Sequence, residues 1–118
     1  MSDPPLGQGA PRILHRIDPR LVHATLLEAW VPHIEPQLLM VADRETSDDP
    51  RRRTIVQMAA RDLPDVQVVP EEAVAARLAA LEPEDAAIVV YPSLEAFTAA
   101  LDGGLSCPRV HIGHLSAE

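Results

Sequence analysis

Short, evenly apolar runs alternate along this chain with longer stretches in which apolar positions recur every three or four residues. The runs "RILHRI", "QLLMVA", "VQVV", "AAIVVY" and "RVHI" have the length and composition of strands, and "LVHATLLEAWV", "RRRTIVQMAA", "EEAVAARLAAL" and "SLEAFTAAL" between them have helical periodicity. The pattern predicts β-α-β-α-β-α-β-α-β. "QLLMVA" and "AAIVVY" are apolar on both faces, as central parallel strands covered on either side must be. Strands joined by helical crossovers make an open, doubly wound sheet of about five mainly parallel strands, with helices on both faces, the simplest α/β topology.

The helix boundaries are also written in the sequence. "DDP" at residues 48–50 supplies a capping carboxylate and a proline at the first turn, and "PEE" at residues 70–72 places acids where the helix dipole favours them. "DGG" at residues 102–104 is a helix stop. Ile55, Met58 and Ala59 predict the buried stripe of one helix, and Val74, Leu78 and Leu81 that of the next. Trp30, with Leu26 and Leu27, reads as a core anchor at the end of the first helix, His15 as a strand residue and His33 as a loop residue. Ligands of such sheets bind beyond the carboxyl ends of the strands where strand order reverses. That edge collects the loop 18–23, then Asp43 and Arg44, then the stretch 91–93 with Ser93, then Gly113 and His114.

Composition narrows the chemistry. At 118 residues the chain can bury roughly two thirds of its unfolded surface as one domain, here residues 12–118 behind a flexible tail 1–11 rich in proline and glycine. A net charge of −8 argues against nucleic-acid binding, as does a total of three aromatic residues. All ten basic side chains are arginine. Without lysine, neither a Walker-type phosphate loop nor a Schiff-base mechanism can operate. No G-x-G-x-x-G follows the first strand, so a dinucleotide fold is disfavoured, and the missing lysine disfavours a receiver domain. The lone Cys107 has no internal partner, and no export signal or apolar span of membrane length is present, so a cytoplasmic chain is expected.

The opening "RIDPRLVHAT" at residues 16–25 concentrates chemistry at the functional edge. His23 is an imidazole, mostly uncharged at neutral pH and able to act as nucleophile or base. Arg16 and Arg20 bring planar guanidiniums whose forked donors match phosphate oxygens. Asp18 could fix the imidazole tautomer or orient an arginine, and the following helix would aim backbone N–H groups at an anion near its start. A neutral nucleophile, cationic clamps and a helix start suit phosphoryl transfer, where catalysis is largely positioning and charge stabilisation. The plainer alternative is a capping histidine among solvated arginines.

The segment "RIDPRLVHA" resembles the active-site signature of the IIB components of the mannose/fructose/sorbose class of the bacterial phosphotransferase system: Arg-Ile-Asp, any residue, Arg-Leu, an aliphatic residue, and a phosphorylated histidine usually followed by Gly-Gln. "MVADRETSDDPRRRTIVQMAA" is similar to the family's second strand and following helix, and "VHIGHLS" to its Asn-aliphatic-Gly-Gly-Met segment. The resemblance implies that His23 accepts a phosphoryl group from a IIA protein and passes it to a sugar carried by membrane IIC and IID components. It implies supporting roles for Arg16, Asp18 and Arg20 in phosphate binding and loop geometry; the residues after the histidine, Ala24 and Thr25, are candidates for phosphate binding by position, and Asp43, Ser93, Gly113 and His114 are candidate contributors from the sheet edge. Neither motif nor resemblance calls for a cofactor or a metal, although His23, His111 and His114 make a three-histidine site geometrically conceivable.

Departures from the pattern sit at the same edge. Gly-Gln becomes Ala24-Thr25, the family asparagine becomes His111, its second glycine His114 and its methionine Leu115. If the glycine's backbone freedom is needed, Ala24 costs about 1 kcal/mol. The family normally continues beyond this point, so the chain reads as shortened at its C-terminus: a naturally shortened homologue, a piece of a longer protein, or a chain whose open sheet edge is covered by a second copy in a homodimer. The alternative within the resemblance is a regulatory or degenerate IIB-like protein acting through protein–protein interaction.

Overall fold

The predicted strands pair in a single sheet in the computed structural model, which describes residues 11–106 and 110–112. Five parallel strands, β1 (Arg12–Ile17), β2 (Leu38–Ala42), β3 (Val66–Val69), β4 (Ala86–Tyr91) and β5 (His111–Ile112), lie in the order β3-β2-β4-β1-β5. β2 and β4, apolar throughout, are buried at every position, as the pattern required. The tail 1–10, Cys107, Gly113 and His114 lie outside the described residues.

Helices cover both faces. On one, α4 (Val74–Ala79), entered through a 3₁₀ turn (Glu71–Ala73), and α5 (Leu94–Asp102) pack Val74, Leu78, Ala96, Phe97 and Ala100 against Met40, Val89 and Tyr91. On the other, the first helix packs Leu26, Leu27, Trp30 and Ile34 against Leu39, Ile88 and Val90. This helix is not regular. Residues 26–30 form a π-helical turn (Leu26–Trp30) that continues into α1 (Val31–Ile34). The wide turn falls where Pro32 withholds an N–H and its ring crowds the carbonyl one turn back. His33 therefore sits in a helix rather than a loop.

The proline and carboxylate signals act as read. Asp49 accepts from the N–H groups of Arg51 (3.0 Å) and Arg52 (3.4 Å) and opens α3 (Pro50–Ala59) behind a short α2 (Arg44–Ser47). The stripe of α3 is displaced, however. Val56 and Ala60 are buried, whereas Ile55 and Met58 are about three-fifths exposed (61% and 60%) and Ala59 is exposed as well. The helix overhangs β3, a four-residue edge strand, and touches the core along a line one residue away from the predicted one.

At the "DGG" stop, Gly104 takes φ +108° and Gly103 lies against the turn that begins α4. A Cβ on Gly103 would stand 3.0 Å from the Glu72 Cα, a backbone atom with little room to yield. Gly103→Ala is expected to cost about 1–2 kcal/mol through this overpacking, a fall of roughly 5–10 °C in the thermal midpoint, readable by calorimetry.

Candidate functional site

The chain leaves β1 leftward across β4 to β2 and leaves β4 in the opposite direction to β5, so strand order reverses between β1 and β4. Their following helices lie on opposite faces, which opens a crevice at the carboxyl ends of these two strands. The loop 18–23 fills one side of it.

The loop's shape follows from "DPR". The Asp18 N–H bonds the Tyr91 carbonyl (2.8 Å), extending the ladder one residue past β1, and the Leu21 N–H returns to the Asp18 carbonyl (3.0 Å). This is a β-turn with aspartate at its first position and proline at its second, the placement both residues favour. The Asp18 carboxylate accepts the Arg20 N–H (3.0 Å), which folds the turn onto its own first side chain. Leu21 then adopts φ 55°, a left-handed conformation costly for a branched side chain, and the reversal brings His23 back toward Asp18.

Asp18 is the hub. Its side chain is fully buried and receives the Arg20 Nε (3.0 Å) and Nη2 (2.9 Å) as a fork, and His23 Nε2 at 2.9 Å. Burial pushes this carboxyl upward, but the Arg20 side chain, the Arg20 backbone N–H and His23 together overcome it and hold the group well below the usual carboxylate range. The group is therefore an anion, and the imidazole nitrogen facing it is the protonated one. His23 Nδ1 is left as the lone-pair nitrogen. The sequence offers tautomer fixing and arginine orientation as alternatives for Asp18, and the carboxylate lies within hydrogen-bond reach of both the His23 ring and the Arg20 guanidinium.

Arg16 is nearly as buried as Asp18 and points to the face of the first helix. Its guanidinium lies over the Trp30 ring (5.2 Å to the centroid), its Nη1 meets His111 Nδ1 at 3.0 Å, and its Nε stands 3.6 Å from Asp18 Oδ2, without a hydrogen-bond partner among the described residues. Trp30 is thus half-buried, a core residue on one side and an arginine platform on the other. The sequence marks His111 as a departure from a pattern and as one of three histidines that could meet at this edge, not as a partner of Arg16. The observation that reveals its role is register, because parallel pairing sets it directly beside Arg16.

Ala24 and Thr25 begin the first helix with exposed side chains. Ala24 is right-handed helical and Thr25 has φ −60°, so neither needs a glycine's backbone freedom, and the positive φ of this loop falls at Leu21. Asp43 and Ser93 reach the edge but serve local structure: Asp43 accepts from Thr46 Oγ1 (2.6 Å), and Ser93 Oγ caps α5 by accepting from Ala96 N–H (3.1 Å). Arg44 is tied to Glu71 and Glu72. Beside the loop lies a cleft of about 430 Å³ walled by Arg20, Leu21, Val22, Asp43, Arg52, Ile55 and Pro92. His15 belongs to the opposite face of β1, where it bonds Tyr91 Oη (2.9 Å) and burial lowers its pKa to about 4.

The model of the family described as the sorbose-subfamily IIB component of the phosphotransferase system matches residues 12–118. The chain belongs to this family. Among solved structures, this IIB chain is similar to a N-acetylgalactosamine IIB component from Streptococcus pyogenes (19% identity, TM-score 0.81, covering 92% of this chain and 67% of that one). It is also similar to manxB from Thermoanaerobacter tengcongensis (23%, TM-score 0.76, 94% and 68%) and to the IIB domain of the sorbose permease from Klebsiella pneumoniae (22%, TM-score 0.75, 91% and 67%). At these identities the structures establish the shared fold, and the family match makes the chain a phosphotransferase-system component. No curated protein matches it by sequence. Among the described residues, no helix is long and apolar enough to cross a membrane.

Proposed function

We propose that this IIB chain is a phosphocarrier on the cytoplasmic side of the membrane: His23 takes a phosphoryl group from a IIA donor and passes it to a sugar entering through a IIC/IID permease. The observation that carries this reading is the 2.9 Å bond from His23 Nε2 to Asp18, which leaves Nδ1 as the nucleophile. In the first step the phosphorus–nitrogen bond of the donor phosphohistidine breaks as a bond from phosphorus to His23 Nδ1 forms. The positive charge that develops on the ring is stabilised by Asp18 through Nε2–H. Arg20, whose side chain is about two-fifths exposed (43%) while its fork is anchored on Asp18, meets the phosphoryl oxygens in this reading, together with the N–H groups of Ala24 and Thr25 at the helix start. In the second step the bond to Nδ1 breaks, the phosphoryl group goes to a sugar hydroxyl and that hydroxyl loses its proton.

Incubation with a phosphorylated sorbose-class IIA protein should add one phosphoryl group to the intact mass, stable to alkali and lost in acid as phosphoramidates are. No gain of mass, with the same donor labelling another IIB protein of the class, would overturn the phosphocarrier reading in favour of a degenerate interaction domain.

A further inference from the structure

The contact of Arg16 with His111 is not explained by phosphoryl transfer to His23 alone. Arg16 is 4% exposed, yet among the described residues its guanidinium has no carboxylate within ordinary hydrogen-bond reach: Asp18 Oδ2 lies 3.6 Å from Nε, and Asp18 is already committed to Arg20 and His23. What fixes the group is an indole beneath it and an imidazole at its edge. Trp30 packs edge-on to His111 with centroids 4.8 Å apart, so the three side chains touch in pairs. An arginine has only donors. The 3.0 Å contact of Nη1 with His111 Nδ1 is therefore a hydrogen bond only while that nitrogen keeps its lone pair, that is, while His111 is neutral.

We propose that His111 is a positioning residue for the transfer site, holding Arg16 against Asp18 when neutral and releasing it when protonated. The proposal rests on the phosphocarrier reading for its consequence, since Arg16 supplies positive charge beside the Asp18–His23 pair. Protonation would set an N–H against the donors of Arg16 and place two cations side by side. Among the described residues, the groups facing His111 bring no anion to offset this: β1 brings Arg16, with Asp18 beyond it, and the first helix brings Trp30, itself edge-on to His33 (6.5 Å between centroids). The site thus requires a second neutral imidazole besides the nucleophile.

The sole tryptophan of the chain reports on this unit directly. A protonated imidazole in contact with an indole quenches its emission, so Trp30 fluorescence should fall on acidification if His111 takes up a proton against it. The transition should persist in His33→Asn and vanish in His111→Asn, whose amide oxygen accepts from Arg16 at any pH. Transfer from the IIA donor supplies the second readout. His111→Leu, which has no acceptor, should be about tenfold slower than wild type at neutral pH. His111→Asn should restore most of the rate, and the ratio of wild-type to His111→Asn rates should fall about tenfold on acidification. An undiminished Trp30 transition in His111→Asn, or a rate ratio independent of pH, overturns the proposal. If no protein of the set takes up label, the phosphocarrier reading fails, and the fluorescence alone decides whether His111 governs Arg16.

Discussion

His23→Ala is expected to lower phosphoryl transfer from a IIA donor by at least about a thousandfold, because it removes the atom that forms the new bond. The fold should survive. His23 is held by one side-chain bond, to Asp18 Oδ2, at the rim of the core, and losing such a bond costs about 1–2 kcal/mol. Asp18 keeps its fork from Arg20 and the Arg20 N–H, so its charge is not stranded. Circular dichroism and the thermal midpoint should therefore change little while labelling disappears, which separates loss of the nucleophile from loss of the fold. The alternative histidines make this a discriminating measurement. His15 is buried on the opposite face against Tyr91, and His111 accepts from Arg16. Equal labelling of wild type and His23→Ala would sink the assignment and direct attention to these.

The parts of the molecule that could be read from the chain are those in which one residue's neighbours in sequence decide its state. β2 and β4 are legible because a continuous apolar run has few soluble alternatives to the middle of a parallel sheet. Asp49 and Pro50 are legible because a cap acts within three residues. "DPR" encodes its turn by the same logic, and with it the burial of Asp18 beneath Arg20. Elements that depend on distant partners were less accessible. The stripe of α3 was misplaced because periodicity says which residues share a face but not where the sheet edge ends beneath them, and β3 is too short to cover Ile55 and Met58. The left-handed conformation of Leu21 carries no compositional mark, since a glycine would ordinarily announce it. The pairing of Arg16 with His111 spans ninety-five residues and depends on strand order, which alternation alone does not specify.

Asp18→Asn should separate the two roles of the hub. The amide keeps the size of the carboxylate, and its oxygen can still accept from the Arg20 N–H, so the turn 18–21 is retained. The charge is lost, and with it the reason for the proton to reside on His23 Nε2. If the amide N–H turns toward the ring, Nε2 becomes the acceptor and Nδ1 carries the proton, the wrong tautomer for attack. If the oxygen turns toward the ring instead, the Arg20 N–H gives up its side-chain acceptor, the turn rests on the Leu21 N–H to residue 18 carbonyl bond alone, and the developing imidazolium still lacks its counter-ion. Either way transfer should fall by about 10²–10⁴-fold, in the range seen when a histidine-orienting aspartate is amidated. The stability effect has its own pH signature. The folded-state pKa of Asp18 is depressed, so its ionisation contributes stability above its unfolded pKa, near 3.9, and that contribution is lost as pH falls below this value. Arg16 and Arg20 would lose their shared anion, but the partial exposure of Arg20 moderates the cost to about 2–3 kcal/mol at neutral pH. Denaturant unfolding should show that gap between wild type and Asp18→Asn holding steady from about pH 8 to pH 5 and closing below about pH 4. A gap that persists undiminished into acid would mean that shape, not charge, is what Asp18 supplies. A normal transfer rate in a folded Asp18→Asn protein would remove it from the chemistry altogether.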